Sequence, residues 1–226
     1  MNTKQIRRMT VDALMMILIT ILMAYMITGE KLHEILGTVT LVLFILHHLL
    51  NKQWIKGVFK GPGTPERILG ISVYILLCLD MIGLAVSSVM ISGFVFSFLH
   101  IQNGLVLGRQ VHMLTTYWGF LLMAAHLGLN WSMIAALIRK AAGISSKSAV
   151  RTRVLRVLVI LISIWGGISF FQENFPTYLF LRTAFILFNE QPPVLFFASH
   201  LSVMILFAAV FYYINQLLKR NAGRRN

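Results

Sequence analysis

The chain has 226 residues, 58% hydrophobic and only 12% charged, with a mean hydropathy of +0.78, which excludes an ordinary water-soluble globule. Its charges are lopsided, 20 Lys and Arg against 7 Asp and Glu, for a formal net charge of +13. In a soluble protein that excess would point to nucleic acid; in a chain this apolar it points to basic loops on one side of a membrane. The single cysteine, Cys78, excludes an intrachain disulfide, a C-x-x-C-H attachment site and a thiolate cluster.

A bilayer core about 30 Å thick needs about 20 mainly apolar residues per helix, and six such runs are expected. The first, 11–27, follows Lys4, Arg7 and Arg8. It is too long for the apolar core of a signal peptide, and Met26-Ile27-Thr28-Gly29 offers no small-residue cleavage site. The second, 32–50, carries His33, His47 and His48, and the third, 69–91, has Asp80 near its middle. An outer loop, 92–110, holds His100 and Arg109 and leads to a fourth run, 111–138, with His112 and His126. That run is long enough to project beyond the hydrocarbon core. The fifth is 154–171. Segment 172–193 then includes an apolar stretch, 178–188, interrupted by Arg182, which predicts a helix lying at the interface. The sixth run, 194–218, has His200 near its outer end. The expected fold is all-α: a single polytopic membrane domain, 1–226, of six transmembrane helices.

Six spans put both termini on one side, and all but three of the 20 basic residues fall there; Lys31, Arg109 and Arg182 are the exceptions. The positive-inside rule therefore predicts cytoplasmic termini.

The histidines carry the chemistry. His33 and His47 are 14 residues apart on one run, as are His112 and His126 on another. Fourteen helical residues rise about 21 Å and fall about 40° short of four turns, so each pair shares a helix face at two depths. Both runs descend in the same direction, which pairs His33 with His112 at an outer level and His47 with His126 at an inner level. Random placement of seven histidines yields roughly 0.2 pairs at this spacing, so two pairs are unexpected by chance. Imidazole inside a bilayer also demands a partner. His48 competes with His47, but lies about 60° past the whole turn from His33.

An internal repeat reinforces the pattern. H-x13-H-x3-N occurs at His33, His47 and Asn51 and again at His112, His126 and Asn130. The chain reads as a duplicated two-helix unit, about 11–56 and 69–135, followed by helices about 154–171 and 194–218. Two neutral imidazoles fill both axial positions of a haem iron, so two b-type haems are expected, outer His33/His112 and inner His47/His126, in a haem-binding helix bundle. Zinc or copper would want a third and fourth protein ligand at each level. Gly37 and Gly119 either admit a haem ring or pack helices.

At these residues the sequence resembles the flavinylation-associated cytochromes, small prokaryotic membrane cytochromes b. The resemblance rests on Asp12, Thr28-Gly29, His33-Glu34-x-x-Gly37, His47, Asn51 and Trp54, with a second copy at His112, His126, Asn130 and Trp131. It covers the first four runs well and the last two by general character, and it departs at Asn51, where a further histidine is expected. It implies location in a prokaryotic cytoplasmic membrane and electron transfer from the quinone pool to an extracytoplasmic protein carrying covalent FMN.

Other residues have two readings each. Asp80 either bonds a ligand ring or passes protons, or orients helices as a neutral carboxyl. His100 and His200 serve a quinone or partner site or are interfacial histidines. Glu30, Glu34, Glu173 and Glu190 are solvated loop acids or proton acceptors for quinol, and Arg109 is the preferred partner for haem propionates. The expected function is a di-haem electron carrier, the quinol-oxidising subunit of an oxidoreductase. A haem-bearing anchor of another dehydrogenase or ferric-reductase-like complex, and a haem-free transporter or structural protein, are the alternatives.

Overall fold

The computed structural model describes residues 3–57, 60–144, 146, 148–183, 185–187 and 190–222, the side chains of 54–56 and 222 excepted. Among them the secondary structure is entirely helical: α1 (Thr3–Leu22), α2 (Tyr25–Thr28), α3 (Glu30–Leu50), α4 (Lys52–Gly57), α5 (Pro65–Ile91), a 3-10 turn (Ser97–Leu99), α6 (Leu105–Ala141), α7 (Ala149–Gln172), α8 (Phe175–Leu179) and α9 (Pro193–Ala222). Five of these, α3, α5, α6, α7 and α9, are long and apolar enough to cross a membrane. Many large apolar side chains on them point outward, among them Leu49, Leu79, Val157, Ile164 and Leu217. Such a surface suits lipid and not water.

The helices begin and end where local chemistry dictates. Pro65 opens α5, where its missing N–H costs nothing. Gly29, at φ +73°, turns the chain between α2 and α3, a conformation a side chain would strain. The first predicted run is broken: α1 stops at Leu22 and α2 resumes at Tyr25, so 11–27 is not one continuous helix. At 37 residues α6 is about 55 Å long, and it overshoots the hydrocarbon core as its sequence predicts.

The helices α5 and α6 form an antiparallel pair, and α9 packs against both α6 and α7. Glycines set two of those approaches. A Cβ at Gly128 would collide with the backbone carbonyl of Ala208, and one at Gly166 with that of Ser202. Small residues thus let backbones meet where lipid supplies no hydrophobic drive. The core gathers Tyr117, Phe120 and Ala124 of α6, Phe175 and Tyr178 of α8, and Val203 and Met204 of α9.

The interfacial helix predicted over 178–188 does not form. Among the described residues of that stretch only Tyr178 and Leu179 are helical, as the end of Phe175–Leu179, and Phe175, Tyr178 and Leu179 are buried. Asn174 (φ 55°) and Leu181 (φ 48°) turn the chain on either side. The Tyr178 hydroxyl accepts a hydrogen bond from Leu187 N at 2.8 Å, folding the segment back over the bundle end. Arg182 sits over the Phe180 ring, 5.9 Å from its centroid.

Helix α3 is the exception to close packing. It lies along α1, but makes no extended backbone contact with α5 or α6, and Thr40 is its only buried residue.

Candidate functional site

The outer pair predicted from spacing comes together. The imidazole rings of His33 and His112 meet across the α3–α6 gap in an edge-on arrangement, centroids 6.1 Å apart and planes at 69°. Two imidazoles bound to opposite sides of one metal, with metal–nitrogen bonds of about 2 Å, hold their centroids about 6 Å apart. The ring of Tyr25 stands edge-on to His33 at 5.1 Å. Ser88 Oγ lies 3.3 Å from His112 Nδ1, while His33 Nδ1 is buried with no hydrogen-bond partner.

Four helical turns along, His126 packs edge-on to Tyr74 at 5.1 Å, and its Nδ1 is also buried without a partner. His47, His48 and Asp12 are its titratable neighbours. His47 and His48 differ sharply. His48 Nδ1 lies 2.9 Å from the Phe44 carbonyl and its Nε2 lies 3.5 Å from Cys78 Sγ, so both nitrogens face partners. His47 Nδ1 meets Asp12 Oδ1 at 2.7 Å. The repeated asparagines act alike: Asn51 Nδ2 donates to the His47 carbonyl at 2.9 Å, and Asn130 Nδ2 to the His126 carbonyl at 2.8 Å.

Besides its packing along α1, polar clamps hold α3 in place. At its outer end the Glu34 carboxylate accepts from Ser92 Oγ (2.6 Å), Gly93 N (2.8 Å), Phe94 N (3.1 Å) and Val95 N (2.7 Å). Lys31 adds a cation over the Phe94 ring at 5.6 Å. At the other end Arg8 Nε and Nη2 donate to the Leu50 carbonyl at 3.1 and 2.5 Å. Glu34, expected as a solvated acid or proton acceptor, is instead the tether joining α3 to the loop that follows α5.

Asp80 bonds to neither ligand ring. Its Oδ2 is buried with no partner and fills the space that a Cβ at Gly119 would occupy. Gly119 lies midway between His112 and His126, and its missing side chain makes room for the Asp80 carboxyl. At Gly37 a Cβ would meet only Leu22 Cδ2, at 4.0 Å. His200 is a core residue, 2% exposed, stacked on Phe196 with centroids 4.0 Å apart. His100 is an exposed loop residue with φ 47°, and Arg109 is exposed on the first turns of α6. The side chain of Trp54 lies outside the described residues.

Beside the outer pair a pocket opens among Met23, Tyr25, Glu173, Tyr178, Gln191 and Phe196. Gln191 Nε2 donates to both Glu173 oxygens at 3.0 and 3.1 Å. Burial pushes the Tyr178 phenol up from its ordinary pKa. It remains a neutral hydroxyl at neutral pH.

Among the described residues no three His, Cys, Asp or Glu side chains cluster to hold a metal by themselves. A metal at either level would therefore have to bring further ligands of its own, as a porphyrin does. At the outer level the residues present fit that group: two imidazoles with centroids 6.1 Å apart, carried by helices that make no extended backbone contact with each other. At the inner level His47 and His126 are electrostatic neighbours, and among the described residues their rings are in contact with His48 and Tyr74 and not with each other. No family model, curated protein or solved structure matches this chain.

Proposed function

We propose that the protein is a six-span di-haem cytochrome b, with His33 and His112 as axial ligands at the outer level and His47 and His126 at the inner level. The observation that carries this reading is the 6.1 Å approach of the His33 and His112 rings from two helices whose backbones do not pack together. When bound, each haem would supply a one-electron Fe(III)/Fe(II) couple, held by the two histidines proposed for its level. The chain's part is to hold four rings at two depths. Glu34 and Arg8 fix the ends of α3, and the apolar helices keep water from the path.

In this reading α1, continued by α2 beyond its break, is the sixth span, and Asp12 and Arg8 keep it against α3. The asymmetry of basic residues orients both termini to the cytoplasm. Electrons enter from membrane quinol and leave at the outer level to an extracytoplasmic FMN-bearing protein, as the resemblance to flavinylation-associated cytochromes implies. Reconstitution tests this function: quinol added to proteoliposomes should reduce the haems, and an FMN-bearing acceptor on the outer side should reoxidise them. Haems that quinol cannot reduce would overturn the donor assignment.

A further inference from the structure

The four candidate ligand rings sit in unequal surroundings. His33 Nδ1 and His126 Nδ1 have no hydrogen-bond partner, and His112 Nδ1 has a neutral hydroxyl, Ser88 Oγ, at 3.3 Å. His47 alone among them meets a carboxylate, Asp12, at 2.7 Å. That contact fixes the proton on Nδ1 and leaves Nε2 as the nitrogen with a free lone pair. A carboxylate accepting from the far side of an imidazole raises the basicity of the ligating nitrogen. A more basic ligand, with a negative charge behind it, favours ferric over ferrous iron.

We propose that Asp12 is a positioning residue that makes the inner level, His47/His126, the lower-potential site, so that electron transfer runs downhill from the inner to the outer level. This inference rests on the di-haem reading above. Each transfer moves one electron, oxidising a ferrous inner haem and reducing a ferric outer one, with no proton or bond exchanged.

The charges around each site agree with this order. Arg8, one turn from Asp12, directs its guanidinium to the Leu50 carbonyl. Arg7 and Lys52 are exposed and the Asp12 side chain is half-exposed, so solvent and salt weaken the longer-range charges and the direct Asp12–His47 hydrogen bond carries the effect. At the outer level Glu30 and Glu34 lie beside Gly93, Glu34 is engaged by four donors from the Ser92–Val95 segment, and among the described residues neither carboxylate hydrogen-bonds a ligand ring. Asp12 thus hydrogen-bonds a ligand ring at one level, whereas at the other the Glu34 charge reaches His33 only through space and, among the described residues, no carboxylate hydrogen-bonds a ligand ring.

Optical redox titration of the purified holoprotein tests the proposal. Asp12→Asn should raise the lower midpoint potential by the equivalent of about tenfold in the reduction equilibrium, about 59 mV for one electron, and leave the upper one in place. Asp12→Glu should restore part of the shift. An unchanged lower midpoint, or an equal shift in both, would overturn the proposal. Because Asp12→Asn protein can fail to fold, the order of potentials is read separately. The haem retained in His112→Ala protein, the inner one, should titrate below that retained in His126→Ala protein. The reverse order defeats this inference and leaves the di-haem reading intact, whereas a haem-free wild-type protein defeats both.

Discussion

Removing the Glu34 carboxylate tests how α3 is held. Four donors converge on it, Ser92 Oγ and the backbone N–H groups of Gly93, Phe94 and Val95, at 2.6 to 3.1 Å. Hydrogen bonds to a charged acceptor are worth about 1.5–3 kcal/mol each when desolvated. Glu34 is half-exposed, and water replaces much of what the donors lose, so the net cost of Glu34→Ala is about 2 kcal/mol. That cost falls on the separation of the outer end of α3 from α5 and α6, across which no extended backbone contact runs, since α3 packs instead along α1 and α2. The expected result is outer-site haem affinity weakened roughly 30-fold, with the inner site retained. Haem content by pyridine haemochrome assay, measured against added haemin, should show one tight and one weak equivalent. Glu34→Gln, which keeps one acceptor oxygen but sets an amide NH2 against backbone donors, should fall between. If Glu34→Ala bound both haems with wild-type affinity, α3 would have to be positioned by something other than this clamp.

Single alanine substitutions should sort by level: His33→Ala and His112→Ala each lose the outer haem, and His47→Ala and His126→Ala the inner. His48→Ala should keep both, because its ring nitrogens already face Phe44 O and Cys78 Sγ; loss of the inner haem there would exchange the roles of His47 and His48. Gly128→Ala and Gly166→Ala place a Cβ on the backbone carbonyls of Ala208 and Ser202. Each should cost about 1–3 kcal/mol, seen as a lower midpoint of thermal unfolding in detergent. Asp80→Asn should leave haem content and both midpoint potentials unchanged, since neither Asp80 oxygen bonds a ligand ring; a shifted potential would show that the carboxyl acts on a haem.

The fold was legible where periodicity and charge speak together. Five runs emerge as helices long enough to span, within a few residues of their expected ends. The break at Met23-Ala24 was not legible, because apolar composition continues through it while the backbone does not. The segment 178–188 misled for the reverse reason: its apolar run interrupted by Arg182 read as an interfacial helix, yet Tyr178, with Phe175 just before it, is drawn into the α6–α9 core by ring stacking, the Tyr117 and Tyr178 centroids lying 4.4 Å apart.

For the site, fourteen-residue spacing was enough to pair His33 with His112, since helical geometry converts spacing directly into depth and face. What spacing cannot carry is the contact made by neighbours distant in sequence. Asp12 is 35 residues from His47 and Glu34 is 58 from Ser92. Asp12 did leave a signal, as an acid within an apolar run beside a basic cluster. Gly119 left none of its own, since only the fold reveals that Asp80 fills the space beside it.

The most direct measurement is the haem content of the wild-type protein, purified in detergent, with a reduced-minus-oxidised spectrum and a pyridine haemochrome assay. Two b-type haems per chain are predicted, falling to one in His33→Ala and to one in His126→Ala. A correctly folded wild-type protein containing no haem would contradict the account.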